Sequence, residues 1–196
     1  MRVLVAAADD SEDIELVCIT DVLARAAINV TLASVTKSKH IILSRGTRVE
    51  CDALITEVSP DDFDAVLLPG GMPGAETLGK SEDLKKIMQK IRSQNKLYGA
   101  ICAAPAVALG PMGLLEGVET VTCFPSFEEK LPSGVKYCQR AVVRSGNCLT
   151  SRGPGTAIFF ALAAVSILNS HELAEKLAGM LLVDKMHEMD DVRALK

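Results

Sequence analysis

Residues 97–109 have the sequence LYGAICAAPAVAL, which places one cysteine between an apolar strand pattern and a proline. Pro105 stands where a helix would make its first turn, a position that proline favours. Such a strand-to-helix turn holds the nucleophile of many α/β enzymes in a strained backbone conformation, and its close neighbours must be small. Ala100 and Ala104 lie two residues before and after Cys102. The stretch therefore predicts an α/β fold with Cys102 as its candidate nucleophile.

Cys102 has two interpretations. At the start of a helix, unpaired backbone N–H groups and the positive end of the helix dipole lower a thiol pKa from ~8.5 towards ~4 to 6. A functional Cys102 is accordingly expected to be a thiolate at neutral pH. The alternative is a small buried hydrophobic residue, which is what most cysteines are.

Short apolar runs alternate with helical periodicity, which predicts βα units around a mainly parallel sheet in one domain over residues 1–196. The candidate strands are 2–7, 30–34, 65–68, 98–101, 120–123 and 148–150. The candidate helices are 14–27, 81–92, 105–109, 155–168 and 171–185. One hairpin is expected to turn near Arg45 and Gly46 and to add an antiparallel edge, and another to turn at 145–147. Residues 184–196 are expected to be a solvated polar end.

Composition limits the classes of function. The formal net charge of −4, with no basic stripe, argues against specific binding to nucleic acid. No uncharged apolar run reaches the roughly 18 residues that a bilayer span needs, and the first residues lack a signal-peptide pattern, so a cytoplasmic protein without membrane contact is expected. The six cysteines contain no C-x-x-C pair and lie far from the three histidines. Neither a metal site, a disulfide framework nor a cofactor is predicted.

Glu15 lies on the apolar face of the first candidate helix. Its neighbours at helical spacing are Cys18, Ile19, Val22, Leu23 and Ala26. A carboxyl on such a face either finds a hydrogen-bond partner or stays protonated, because burying an unpaired anion is costly. A protonated Glu15 could donate to a thiolate, and the pair would titrate jointly. The alternative is a first-turn glutamate in solvent that interacts with the helix dipole.

Two loops supply candidate pocket residues. In LLPGGMPGAE, residues 67–76, the N–H groups of Gly70 and Gly71 could join that of Ala103 in an oxyanion hole; a simple tight turn is the alternative. Arg152, in TSRGPGTA, is either a cation near the cleft or part of a turn that starts a helix, and the structural role is favoured. No histidine can be paired with Cys102 from spacing, so a protease-type dyad is not supported.

Five ordered motifs that span nearly the whole chain resemble the ThiJ/PfpI superfamily, and within it the DJ-one branch and its bacterial and protozoan-type members. The motifs are SEDIE with Glu15, SRG with Arg45, VLLPGG, AICAAPA with Cys102, and LTSRGPGTA. The resemblance implies a flavodoxin-like three-layer sandwich, with a mainly parallel sheet and helices on both faces. It also implies a homodimer.

The resemblance extends to the site. It implies an oxidisable, low-pKa nucleophile at Cys102 and a protonated partner at Glu15. The anion- or substrate-binding amides map to Gly70, Gly71 and Ala103, and the pocket edge that faces the dimer partner maps to Arg45, Arg152 and Pro154. Animal members carry a histidine in the segment where this chain has Phe124, and protease-like members have histidine directly after the cysteine. Peptidase activity is therefore disfavoured.

The function implied is a cofactor-free enzyme of glyoxalase or deglycase type. Its substrates would be small 2-oxoaldehydes such as methylglyoxal or glyoxal, or their early adducts with thiols and amines, and its product a hydroxy acid. The alternative is a redox-sensing stress chaperone whose Cys102 is oxidised to a sulfinate held by Glu15 and the same amides. A binding module without turnover is a third possibility. All three use one anion-stabilising pocket, so the sequence does not separate them.

Overall fold

The computed structural model describes residues 1–183, and the expected polar end at 184–196 lies outside the described residues. The strands are β1 (Arg2–Ala7), β2 (Asn29–Ser34), β3 (His40–Ile42), β4 (Arg48–Glu50), β5 (Ala53–Leu54), β6 (Ala65–Leu68), β7 (Leu97–Ile101), β8 (Thr120–Val121), β9 (Lys136–Tyr137), β10 (Val142–Ser145) and β11 (Cys148–Ser151). The helices are α1 (Asp13–Arg25), α2 (Gly74–Lys80), α3 (Glu82–Ser93), α4 (Ala157–Leu168) and α5 (His171–Met180).

Seven strands form one central sheet in the order β10-β11-β7-β6-β1-β2-β5. Every neighbouring pair is parallel except β10 and β11, which form the hairpin expected to turn at 145–147. Helix α1 packs on α4 and α4 on α5, whereas α3 packs against β6 and β7. The predicted flavodoxin-like α/β sandwich is confirmed.

The helices follow from local sequence. Ser81 begins α3 by accepting a hydrogen bond from the N–H of Leu84, and acidic residues in the first turn with basic residues in the last turn complement the helix dipole. Helix α4 is apolar almost all round because α1, α5 and the sheet cover it. Helix α2 was not predicted. Its glycines weaken the pattern, but Gly74 packs on the backbone of Asp10 and Gly79 on that of Val107, where a side chain would clash.

Three expectations differ from the structure. The hairpin near Arg45, which consists of β3 and β4, does not extend the sheet. The side chain of Asp9 accepts a hydrogen bond from the N–H of Ile42 and fixes the hairpin above the start of α1. The parallel strand β5 forms that edge of the sheet instead. Residues 120–123 give only the short β8, which pairs with β9 outside the main sheet. Residues 105–109 form a single π-helical turn, which ends at Gly110 and Pro111.

Candidate active site

Cys102 directly follows β7 and has a φ of +66°, in the left-handed region that residues other than glycine rarely adopt. Two backbone hydrogen bonds hold it there. Its N–H donates to the carbonyl of Ser151 at 3.0 Å, and its carbonyl accepts from the N–H of Phe124 at 2.8 Å. The residue is 9% exposed and lines a cavity of 320 Å³. The strained strand-to-helix turn predicted at Cys102 is therefore present, and the residue borders open space.

Glu15 is completely buried in the first turn of α1. The side chain of Glu12 begins the helix by accepting from the N–H of Glu15 at 2.8 Å. The carboxyl lies beside the Cys102 thiol within hydrogen-bonding reach, and its Oε2 accepts from the N–H of Gly70 at 2.7 Å. Among residues 1–183, Oε1 has no hydrogen-bond partner. The solvent-exposed alternative for Glu15 is excluded by this burial.

Burial raises the pKa of Glu15 to about 7, although hydrogen bonds from Gly70 and from the Cys102 thiol act to lower it. The carboxyl is therefore protonated in a large fraction of molecules near neutral pH. This agrees with the prediction of an acid that keeps its proton because its charge would be buried.

The pKa of Cys102 differs from the expectation. Burial, together with the charge and hydrogen bond of Glu15, raises it to about 12, although hydrogen bonds from the N–H groups of Gly71 and Ala103 act to lower it. The expected lowering relied on a helix start, but the following turn is short and the thiol is covered from water. Both contributions from Glu15 belong to its carboxylate form, and a protonated Glu15 would instead donate to the sulfur. The two groups therefore titrate as a pair.

The two glycines have different roles. The N–H of Gly70 donates to Glu15, not into the cavity, which corrects the oxyanion role expected for it. A Cβ on Gly70 would lie 2.6 Å from Cβ of Cys102 and 2.9 Å from Oε2 of Glu15, so only glycine lets these two groups meet. The N–H groups of Gly71 and Ala103 donate to the sulfur of Cys102. The candidate oxyanion site thus has two amides and not three.

Arg45 lines the cavity from the loop between β3 and β4. The side chain of Asp13 anchors this loop by accepting from the N–H of Arg45 at 2.8 Å, from the N–H of Thr47 at 3.3 Å and from the hydroxyl of Ser44 at 3.2 Å. Partial burial acts to raise the pKa of Asp13, but these hydrogen bonds outweigh it and lower the pKa. The start of α1 therefore positions both Glu15 and Arg45.

Arg152 lies outside the Cys102 cavity. It lines a neighbouring cavity of 240 Å³, and its guanidinium donates to the carbonyl of Gln139 at 3.5 Å. Pro154 and Phe124 line both cavities, so the two spaces share a wall. Of the three residues expected at the pocket edge, Arg45 and Pro154 border the thiol's cavity, and Arg152 borders the adjoining one.

Some lining residues were not predicted. They are Asp10, Glu12, Met72 and Phe127, together with Ser44. A signal existed for Glu12, because the residue that caps α1 must lie near Glu15. No signal in the sequence indicated the loop residues Met72 and Phe127, since their positions depend on tertiary packing. Phe124 was noted only as a departure from the histidine of animal relatives.

The described part of the chain, residues 1–183, lacks two kinds of feature. No group of three or more His, Cys, Asp or Glu side chains there could hold a metal ion. No helix in the same range is long and apolar enough to cross a membrane. All six cysteines have free thiols.

Comparison with known proteins gives consistent matches. The model of the DJ-1/PfpI family matches residues 1–167. Protein DJ-1 homolog B of Arabidopsis thaliana is 41% identical over 182 residues, which are 93% of this chain and 41% of the relative, so the chain spans less than half of that relative's length. The glutathione-independent glyoxalase DJR-1.2 of Caenorhabditis elegans is 33% identical over 178 residues, 90% of this chain and 93% of the relative.

A solved structure of oxidized Toxoplasma gondii DJ-1 superposes with a TM-score of 0.89 at 42% identity. The match covers 93% of this chain and 98% of that one.

Proposed function

This chain belongs to the DJ-1/PfpI family, and from that premise we propose that it is a cofactor-free, Cys102-dependent enzyme that converts 2-oxoaldehydes to hydroxy acids. The observation that carries the proposal is the buried Glu15 carboxyl beside the Cys102 thiol, with a pKa of about 7. A group that moves protons works best when its pKa lies near the working pH. The relative named as a glutathione-independent glyoxalase supports the class of reaction.

The first step joins the substrate to sulfur. Glu15, as a carboxylate, accepts the thiol proton while Sγ of Cys102 attacks the aldehyde carbon. The aldehyde oxygen becomes an oxyanion, which the N–H groups of Gly71 and Ala103 stabilise before it takes the proton from Glu15. The product is a hemithioacetal. This order of events does not require a resting thiolate, so it is compatible with the raised pKa of Cys102.

The second step moves a proton between carbons. Glu15 removes the hydrogen from the carbon bound to sulfur, which gives an enediol, and then protonates the neighbouring carbon. The former aldehyde carbon is oxidised and the former ketone carbon is reduced by the same two electrons, so no external oxidant or reductant is needed. The resulting thioester is hydrolysed by water, which releases the hydroxy acid and restores the thiol. From methylglyoxal the product is lactate.

Lactate formation from methylglyoxal, followed by NMR, tests the proposal. Cys102→Ala should abolish turnover, and Glu15→Gln should lower kcat roughly 10²-fold or more, because it removes the acid–base group but retains its shape. Cys138→Ala is the matched control, since Cys138 is half-buried and does not line the cavity; its activity should equal that of the wild type. Turnover that survives in Cys102→Ala, or a wild-type rate no higher than that of free thiol in buffer, would contradict the proposal.

A second candidate function is redox sensing. Two amides and a neutral acid around one sulfur are also suited to hold a sulfinate, in which Cys102 has gained two oxygens. The Toxoplasma gondii relative is described in an oxidized form, which supports this candidate. The chaperone activity expected alongside it remains a prediction.

We also propose that the chain forms a homodimer through α1. Ile14 and Val17 are 54% and 50% exposed, and they lie one helical turn apart on the side of α1 that faces away from the core. Exposed apolar residues grouped in this way favour a protein interface.

We propose the cytoplasm as the location, since all six thiols are free.

A further inference from the structure

Phe124 is the unusual side chain at the mouth of the thiol's cavity. It is a large apolar residue, yet it is 41% exposed. Aromatic side chains that border a cavity commonly contact ligands, because stacking removes their apolar surface from water. Neither the proposed proton transfers nor the oxyanion amides use this ring, so its position calls for a separate explanation.

The ring is fixed in place relative to the reacting sulfur. The N–H of Phe124 donates to the carbonyl of Cys102 at 2.8 Å, and the N–H of Phe127 donates to the carbonyl of Phe124 at 3.1 Å. The two phenyl rings meet edge to face, with centroids 6.4 Å apart and an interplanar angle of 76°. The ammonium of Lys130 lies 4.8 Å from the centroid of the Phe127 ring. Phe124 is thus part of a preorganised wall and not a freely moving surface side chain.

The ring also separates two spaces. Phe124 lines both the 320 Å³ cavity of Cys102 and the adjoining 240 Å³ cavity. On the second side it packs against Gly153, where a Cβ would lie 3.1 Å from the ring. A cavity of the first size fits ligands much larger than a three-carbon aldehyde. A substituent on the ketone carbon would therefore reach the side of the Phe124 ring that borders the Cys102 cavity.

We infer that Phe124 determines substrate specificity by selecting 2-oxoaldehydes with an aryl or bulky apolar substituent over methylglyoxal and glyoxal. The inference rests on the proposed function, since it names the substrate class of the same site. The side chain of Phe124 has no hydrogen-bonding group. It therefore favours substituents that stack on the ring and forms no hydrogen bond with small polar substrates. An aromatic pair adds roughly 0.5 to 1.5 kcal/mol beyond the area that it buries, which corresponds to about a 2- to 10-fold preference.

One arm of the test measures turnover. The ratio of kcat/KM for phenylglyoxal to that for methylglyoxal is compared in wild type, Phe124→Ala, Phe124→His and Phe159→Ala. Phe159 is a half-buried phenylalanine of α4 that lines neither cavity, so it is the matched control. The ratio should fall about 2- to 10-fold in both Phe124 variants and stay at the wild-type value in Phe159→Ala.

The other arm needs no turnover. Alkylation of Cys102 by N-benzylchloroacetamide and by chloroacetamide is followed by peptide mass, and each rate is divided by the rate with a free small thiol. The benzyl reagent should be favoured in wild type and should lose this advantage in Phe124→Ala, but not in Phe159→Ala.

The two arms separate the inference from the function on which it rests. A benzyl preference that depends on Phe124, in a protein that turns over neither methylglyoxal nor phenylglyoxal, supports the aromatic wall and overturns the proposed reaction. Turnover that requires Cys102, with ratios equal in wild type and Phe124→Ala, supports the reaction and overturns the role of Phe124.

Discussion

The carboxyl of Glu15, on the first helix, lies completely buried beside the thiol of Cys102, and the N–H of Gly70 holds it there at 2.7 Å. Burial raises the pKa of both groups, so near neutral pH the pair retains, besides the thiol proton, a carboxyl proton that Glu15 would lose in water. The nearby N–H groups of Gly71 and Ala103 stabilise negative charge on the sulfur. The protonation states of Glu15 and Cys102 thus depend on each other and on the two N–H donors at the sulfur.

Glu15→Gln should make the stability of the protein less dependent on pH. The pKa of Glu15 rises from 4.5 in the unfolded chain to about 7 in the folded protein, so between these values the folded state binds more protons and wild-type stability falls as pH rises. The glutamine side chain is uncharged at every pH, so the variant does not lose this stability. The free energy of unfolding of Glu15→Gln minus that of the wild type should therefore be up to about 3 kcal/mol larger at pH 8 than at pH 4.

Urea denaturation at both pH values measures this difference. Glu172→Gln, on the exposed side of α5, is the control, and its stability should change with pH as that of the wild type does. A stability difference between Glu15→Gln and wild type that is the same at pH 4 and pH 8 would count against a buried, proton-retaining Glu15.

Gly70→Ala should separate the two reacting groups. The added methyl would lie 2.6 Å from Cβ of Cys102, so either the thiol or the carboxyl must move. We expect at least a 10-fold loss of kcat and a cost of about 1 to 3 kcal/mol in the free energy of unfolding. Gly179→Ala is the control because no atom lies within 4 Å of its new methyl. If Gly70→Ala retains full activity, close contact between the groups is not required.

Mild peroxide should oxidise Cys102 before the other cysteines. Its sulfur can pass its proton to the Glu15 carboxylate and has two N–H donors beside it, whereas Cys18 and Cys138 are more exposed but lack this arrangement. Peptide mass mapping should show a gain of two oxygens at Cys102 first. Oxidation that follows exposure, with Cys18 and Cys138 modified earlier, would argue against a redox role for this site.

Val17→Lys should dissociate the proposed dimer, because a charge would replace an exposed apolar residue of the proposed interface. Light scattering should give twice the chain mass of 20.9 kDa for the wild type and the single-chain mass for the variant. Met180→Lys, at an exposed apolar position on α5, should remain dimeric. A wild type that is monomeric at micromolar concentration would refute the interface.

Much of the fold follows from local sequence patterns. The buried runs of β1, β6 and β7, the capped α3 and the turn at Cys102 each carry a signal within a few residues. The place of the β3–β4 hairpin does not, because contacts with Asp9 and Asp13 decide it, and the edge strand β5 is only two residues long. Helix α2 was missed since its glycines are required by close packing.

The sequence indicated which residues form the site, but not which N–H groups face the sulfur or in which direction the pKa of Cys102 shifts. Helical spacing placed Glu15 on the buried face, and the small neighbours of Cys102 indicated the strained turn. The roles of Gly70 and Gly71 could not be separated from sequence, because they depend on which N–H faces the carboxyl and which faces the sulfur. The direction of the Cys102 pKa shift depends on how completely the folded chain covers the thiol.

The pH dependence of Cys102 alkylation by iodoacetamide, measured in wild type and Glu15→Gln, tests the shared proton most directly. Since the first proton leaves the pair near the pKa of Glu15, the wild-type rate should rise through an inflection near pH 7, and Glu15→Gln should lack that inflection. Identical profiles for the two proteins would show that the thiol titrates without the carboxyl, and the paired acid and nucleophile would have to be abandoned.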